Sequence, residues 1–516
     1  MKTKAIARNS QKKGTVLFCV CSWLIFVLTL TLSQAAIWTS QTFNVSLSGI
    51  LFTIQTPLAG ANSSFVDSAL KACLPPVAFG TFCFTFLLLF FTHWKKFSFL
   101  FQLKLGTHSI SISDNLFFKS LVVSINALLL CMTCYFIERT YDVTGFLKTS
   151  LPYTDIYDNY YVMPSSVGIQ PPEKKKNLLC IYVESMETTM ADDAHGGKQG
   201  DINYIPNLTA LALNNTSFGS SSTVLGGALS MPNTGWTSAA LIATTAGIPF
   251  SYPISDNDLQ QYGSFAEKLQ NLGTILDANG YTQEFLCGSD GTFGGRSQYF
   301  SQHGNYRIFD YYYAIRNGFY PEDYYAWWGL EDQKLYEIAK AELTRLSQES
   351  APFNLTMLTV DTHSEHGFVC DICDTEKYNG ETLPTVLDCT DRQIKAFLEW
   401  CSQQPFYANT TIVILGDHPR MDTDLVEGIS MEDRKVYNCF LNAAKAPSIS
   451  TEGRVFTQLD MFPTILSAMG FEIDGNRLGL GTDLFSETPT LSEELGFDYL
   501  SSQLQMQSKF YKENFY

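Results

Sequence analysis

Three long apolar stretches stand in the first 140 residues. Beyond residue 176 the pattern changes to short apolar runs separated by amphipathic ones. Val16 to Gln34, Cys73 to Thr92 and Leu121 to Ile137 are each long enough to span a bilayer as a helix, at about 1.5 Å per residue. Pro75 and Pro76 fall near the start of the second stretch, where a helix tolerates them. A cleaved signal peptide has a shorter apolar region and is not followed by two more spans. A weaker patch, Leu47 to Leu58, contains Gln55 and Pro57 and reads as a loop or interfacial segment. Five basic residues precede the first stretch, and Lys95, Lys96 and Lys104 follow the second. The positive-inside rule puts both groups in the cytoplasm and everything after Arg139 outside. The expected layout is a membrane region over 1–140, with spans near 16–34, 73–92 and 121–137. A Tyr- and Pro-bearing linker follows over 141–176, then a catalytic domain over 177–490 and a tail over 491–516.

Within 177–490, Leu178 to Val183, Phe353 to Val360 and Thr411 to Leu415 are apolar runs of strand length. Helical patterns lie between or beside them at Ser264 to Asn279, Asp332 to Ser350 and Asp391 to Ser402. Strands alternating with helices predict an α/β fold, a mainly parallel sheet covered on both faces. In such sheets the ligand site lies at the carboxyl ends of the strands. The three runs end in Glu184-Ser185, Asp361-Thr362-His363 and Gly416-Asp417-His418.

Charge sharpens this division. The chain has 516 residues with 34 basic and 51 acidic side chains, a net of −17. Residues 1–120 hold ten basic residues against two acids, Asp67 and Asp114, so the remainder is strongly acidic. A phosphate backbone would repel such a domain, which excludes nucleic acid as a partner. The apolar fraction of 45% excludes a disordered chain.

Carboxylate and imidazole ligate divalent metals, which makes Glu184, Asp417 and His418 candidate ligands. Each also has an ordinary reading as a capping or hydrogen-bonded side chain. Met231 to Gly247 reads as a turn followed by an Ala-rich helix opening at Thr237-Ser238 and closing at Gly247. Thr237 there is either an N-cap or, beside a metal and exposed helix amides, a nucleophile toward phosphorus. Cys287 to Phe300 is a glycine-rich loop from which Arg296 could reach an anion. Of thirteen cysteines, six lie in or next to the apolar stretches; Cys370, Cys373 and Cys389 cluster in the acidic domain.

In that order these residues resemble a known family, the membrane-anchored phosphoglycerol transferases of the alkaline-phosphatase and sulfatase superfamily. The group includes the lipoteichoic acid synthases and the enzymes that add phosphoglycerol to membrane oligosaccharides, and the likeness is closer to the latter. Asn233 to Ile248 and Leu358 to Cys373 carry it most specifically, with Asp290 to Arg296 and Leu478 to Phe485 in support. The resemblance implies an alkaline-phosphatase-like fold and one divalent metal, Mn²⁺ first, with Mg²⁺ or Zn²⁺ as alternatives. Its ligands would be Glu184, Thr237, Asp417 and His418, with Thr237 as nucleophile. His363, Arg296 and, more loosely, Asp290 fall on the phosphoglycerol-binding set. Where the lipoteichoic acid synthases have a Trp two residues before the arginine, this chain has Gly294.

The implied reaction moves the headgroup of phosphatidylglycerol through a covalent Thr intermediate to a hydroxyl of a cell-envelope glycan or polyol-phosphate polymer. A multi-pass membrane protein with an extracytoplasmic catalytic domain fits that donor. A phosphoethanolamine transferase or a hydrolase of the same fold is the alternative. A sulfatase proper would need Cys or Ser in a C/S-x-P-x-R context; the nearest Cys-x-Pro, Cys73-Leu74-Pro75, lies in the membrane region. The family likeness further implies a Cys373–Cys389 disulfide, with a zinc site at Cys370, Cys373 and Cys389 as the alternative.

Overall fold

The computed structural model describes residues 2–43, 47, 50, 63–93, 101–105, 108–112, 114–251 and 266–515. It divides into two compact units, one of Met1–Phe43 with Ser63–Gly145, the other of Asn44–Asn62 with Phe146–Tyr516.

The first unit holds three long helices, α1 (Lys2–Thr42), α2 (Ser63–His93) and α3 (Asp114–Tyr141). Their apolar segments, Gly14–Thr42, Val66–Phe91 and Leu116–Tyr141, are long and apolar enough to cross a membrane. They run beyond the predicted spans because no helix breaker follows Gln34 or precedes Cys73 closely. Large apolar side chains such as Leu28, Phe79 and Leu128 point outward, as a lipid-facing surface requires. Between helices, Phe26 stacks on Phe84 at 4.0 Å and Trp23 Nε1 donates to Thr85 Oγ1 at 2.9 Å. Such ring packing and side-chain hydrogen bonding hold helices together where lipid removes the hydrophobic drive. The unit marks the chain as a membrane protein. Lys95, Lys96 and, apart from Leu47 and Ile50, the weak apolar patch lie outside the described residues.

The second unit is built on a six-stranded sheet: β1 (Asn177–Val183), β2 (Thr282–Cys287), β3 (Arg307–Phe309), β4 (Phe353–Leu358), β5 (Thr410–Gly416) and β6 (Asn438–Leu441). The order is β3-β2-β4-β1-β5-β6, parallel throughout except for β6, which runs antiparallel to β5. Because side chains alternate along a strand, β1 feeds two separate cores. Leu178, Cys180 and Tyr182 pack with α4 (Thr237–Ala246) and α7 (Met461–Ala468). Leu179, Ile181 and Val183 pack with α5 (Asp332–Leu346) and α6 (Thr382–Ser402). Burial on both faces explains why these strands read as continuous apolar runs. This is the predicted α/β architecture.

Four stretches differ from the sequence reading. The predicted helix from Ser264 is helical only over Leu272–Ala278, where Asn271 closes a capping box with Thr274; residues 264 and 265 lie outside the described ones. Helix α6 starts at Thr382, well before Asp391, since Leu383, Val386 and Leu387 already bury a helical face. The stretch expected as a linker folds onto the second unit: Ile156 and Tyr157 are buried, and Ile169–Gln170 pairs with Glu472–Ile473. Tyr157 lies 5.4 Å from Tyr511, in a final helix over Lys509–Phe515, so the expected tail is also packed.

Candidate active site at the strand ends

Sheet register alone brings the ionisable residues together. β1 lies between β4 and β5, with Val183 opposite Gly416 and Tyr182 opposite Leu358. Glu184 and Asp417 therefore leave adjacent strands side by side, and the Asp361-Thr362-His363 turn leaves on the other flank. Ser185 takes a left-handed φ of 54° directly after β1. In this sharp turn its amide donates to Asp417 Oδ1 at 2.7 Å and its hydroxyl to Glu184 Oε1 at 2.8 Å. Thr362 Oγ1 donates to the Glu184 carbonyl, which fixes the third turn against the first.

The cluster these turns make is almost free of solvent. Glu184, Asp417 and His418 are buried, and their ligating atoms all lie within 4.8 Å of one another. His418 Nε2 is 3.3 Å from Glu184 Oε1 and 3.4 Å from Asp417 Oδ2. Its Nδ1 lies 2.9 Å from the Pro419 carbonyl and donates to it, which turns Nε2 inward as the basic atom. Asp417 Oδ2 is buried with no hydrogen-bond partner. A carboxylate oxygen left so at a strand end has the character of a ligand awaiting a cation. The residues present thus fit a divalent metal, and two oxygen donors with one imidazole suit Mn²⁺, Mg²⁺ or Zn²⁺.

Electrostatics agree with a concentrated negative site. Burial pushes Asp417 up to about 7, helped by the Glu184 carboxylate beside it. Burial would lower His418, yet Asp417 and Glu184 hold it up at about 9. Burial also opposes ionisation of Glu184, but the facing His363 and His418 outweigh it and hold it below the usual carboxylate range. His363 is lowered, chiefly by its burial, with the Glu184 carboxylate acting against that.

Thr237 is the first residue of α4, and the N-cap position belongs to Trp236. Its hydroxyl does not cap the helix. It donates to Glu184 Oε2 at 3.2 Å and lies 3.4 Å from His418 Nε2. The next residue, Ser238, faces elsewhere: a Cβ added at Gly294 would lie 2.4 Å from its Oγ. Gly294 itself has φ of 64°, a conformation that glycine adopts without strain.

The remaining predicted residues divide. His363 closes one side, with Nδ1 2.6 Å from the Ser364 carbonyl and its ring 4.8 Å from Trp328. Arg296 is buried, and its guanidinium is turned into its own loop, donating to the carbonyls of Phe293 and Asp290 and to Ser289 Oγ. Asp290 Oδ1 accepts from the amide and hydroxyl of Thr292, a local turn bond. Cys373 and Cys389 are both free thiols, with Cys370 Sγ 3.5 Å from the first and 3.8 Å from the second.

Several residues that brace the site escaped the sequence reading. Arg420, fully buried, donates through Nη1 to the Thr362 carbonyl at 2.7 Å and pairs with Asp422. Arg434 forks onto Glu187, with Nε 3.0 Å from Oε2 and Nη2 2.6 Å from Oε1, and Nη2 also donates to the Arg420 carbonyl. Gln458 Nε2 donates to the Asp417 carbonyl at 2.8 Å and to that of Thr234 at 3.1 Å. Trp327 and Trp328 stand beside His363. A nearby Cys, Trp or Arg is no signal of its own; only the chain path assembles these partners.

Comparison with known proteins agrees with the geometry. Residues 176–471 match the Sulfatase family. A "Phosphoglycerol transferase I" of Xanthomonas axonopodis pv. citri is 30% identical over 341 residues, which cover 64% of this chain and 46% of that protein. One of Escherichia coli is 28% identical over 338 residues, covering 63% and 41%. The chain spans about half the length of the curated relatives it matches. Among solved structures, lipoteichoic acid synthase LtaP from Listeria monocytogenes is 18% identical with a TM-score of 0.45, over 64% of this chain and 81% of that one. Since the family match takes in more than half of the chain, from the start of β1 through all six strands to the end of α7, the chain belongs to the sulfatase family.

Proposed function

We propose that this chain is a metal-dependent phosphoglycerol transferase that moves the headgroup of phosphatidylglycerol, by way of Thr237, to a hydroxyl of a cell-envelope glycan or polymer. The observation that carries the proposal is the Thr237 hydroxyl, directed away from its own helix and onto Glu184 and His418. The names of the relatives support the phosphoglycerol headgroup. Glu184, Thr237, Asp417 and His418 would hold the metal. When bound, a divalent cation favours the ionised form of a neighbouring hydroxyl and offsets charge on phosphoryl oxygens.

The protein's own groups do the rest. Thr237 Oγ1 forms a bond to phosphorus while the bond to the diacylglycerol oxygen breaks. Glu184 Oε2, which accepts the Thr237 hydrogen bond, is placed to receive the proton. Amides at the start of a helix favour a phosphoryl group, and α4 opens at Thr237 itself. The diacylglycerol oxygen leaves with the proton taken by Glu184, and His363, whose Nδ1 faces the Ser364 carbonyl, can take the proton of the entering hydroxyl at Nε2. In the second half, an acceptor hydroxyl or water attacks the phosphoglyceryl-Thr bond and Thr237 regains its proton. The lysine pattern of the first unit supports a multi-pass protein with the second unit outside the cytoplasm.

The full-length protein in detergent, given Mn²⁺ and labelled phosphatidylglycerol or phosphatidylethanolamine in parallel, tests this. The expected result is diacylglycerol from phosphatidylglycerol and a phosphoglyceryl mass on the peptide containing Thr237. Turnover of phosphatidylethanolamine alone would favour the phosphoethanolamine reading. Normal turnover by Thr237→Ala would remove the covalent mechanism.

A further inference from the structure

A second group of metal-type ligands lies outside the strand-end site. Cys370 and Cys373 sit on the loop that leaves His363, and Cys389 is in the first half of α6. Their three sulfurs lie within 4.8 Å of one another. Cys370 Sγ is 3.5 Å from Cys373 Sγ and 3.8 Å from Cys389 Sγ. Around a tetrahedral zinc with Zn–S bonds of about 2.3 Å, two ligating sulfurs stand about 3.8 Å apart. The thiols are thus spaced as the edges of a thiolate zinc site.

The surroundings suit such a site. Gln393, one turn past Cys389 on α6, directs Nε2 to Cys389 Sγ at 3.6 Å and Cys370 Sγ at 4.0 Å. An amide donor on the sulfurs is a common outer partner of thiolate ligands. Lys377 and Arg392 both pair with Asp388, beside Cys389, and bring two cations to the rim. Cys370 and Cys389 are buried and Cys373 is half-buried, which leaves one side for a water as fourth ligand.

We infer that Cys370, Cys373 and Cys389 bind one zinc ion as thiolates, tying the loop that carries His363 to α6. Binding releases the protons of the three thiols to solvent and changes no oxidation state. The inference is independent of the transferase reading, since none of these residues belongs to the strand-end cluster.

The test uses full-length protein in detergent, isolated from the cell envelope without reductant. Zinc released by an organomercurial thiol reagent is measured, and the wild type is loaded with Cd²⁺ to read the ultraviolet thiolate-to-metal band. One thiol-releasable zinc per chain is expected, retained in His418→Ala and lost in Cys389→Ser. Gln393→Leu should keep the site but weaken zinc by at least roughly tenfold, as loss of an outer partner does. Should Cys389→Ser fail to fold, the Cd²⁺ band of the wild type still decides. Absence of that band, or a non-reducing peptide map with any two of the three cysteines disulfide-bonded, would overturn the inference.

Discussion

Arg434→Met probes the scaffold behind the site. Arg434 and Glu187 form an ion pair in which neither side chain has any exposure. Removing one partner of a buried pair leaves the other charge without compensation, a loss of about 3–5 kcal/mol. Melting entropy of roughly 2.1 cal/mol/K per residue, over the ~390 residues of the second unit, gives about 0.8 kcal/mol/K. The midpoint should therefore fall by about 4–6 °C in a thermal scan of the full-length protein. The effect should reach the site as well. Arg434 also holds the Arg420 carbonyl, and Arg420, two residues beyond His418 in the chain, holds the Thr362 carbonyl. Mn²⁺ affinity should drop with the midpoint. Glu187→Gln combined with Arg434→Met removes the stranded charge and keeps an acceptor for the Arg420 amide, which Glu187 now serves. That double variant should regain more than half of the loss. A single variant melting within about 1.5 °C of wild type would refute the argument, because a fully buried unpaired carboxylate cannot be that cheap.

Metal should stabilise the protein: Mn²⁺ at about a hundredfold excess over its dissociation constant adds about 2.7 kcal/mol, and Asp417→Asn or His418→Ala should abolish the resulting rise in midpoint. A shift that survives both changes would place the cation elsewhere. Gln458→Leu strands the Asp417 and Thr234 carbonyls and should lower stability by ~1–3 kcal/mol in denaturant unfolding and weaken Mn²⁺ binding; an unchanged midpoint would show that Gln458 is dispensable. Membrane-impermeant labelling of intact cells should reach a reporter cysteine introduced at the exposed Tyr499, and protection of that residue would reverse the proposed orientation.

Much of this was legible in the sequence for a simple reason. Strands buried on both faces, such as Leu178 to Val183, are uniformly apolar, so an ionisable residue at their end stands out. Glu184, Asp417, His418 and His363 are legible in that way. Arg420, Arg434 and Glu187 could not be, because a charged residue in a sequence reads as surface. Their burial depends on pairing between residues as far apart as Glu187 and Arg434. Tyr157 reads as a linker residue because its partners, Phe510 and Tyr511, lie at the other end of the chain. For Arg296 the glycine-rich spacing was legible, but not that its guanidinium would be satisfied by the loop's own carbonyls.

Gly294 also has an evolutionary consequence. Any side chain there must accept a left-handed backbone, at about 1–2 kcal/mol, and must displace the Ser238 hydroxyl. A lineage passing from this loop to one carrying Trp at that position would meet both costs at once. A prior change at Ser238 or in the loop's path would remove one of them, which couples the two positions historically. Ancestral sequences bridging the two branches should then show substitutions at 238 or within 290–295 before the Trp arrives.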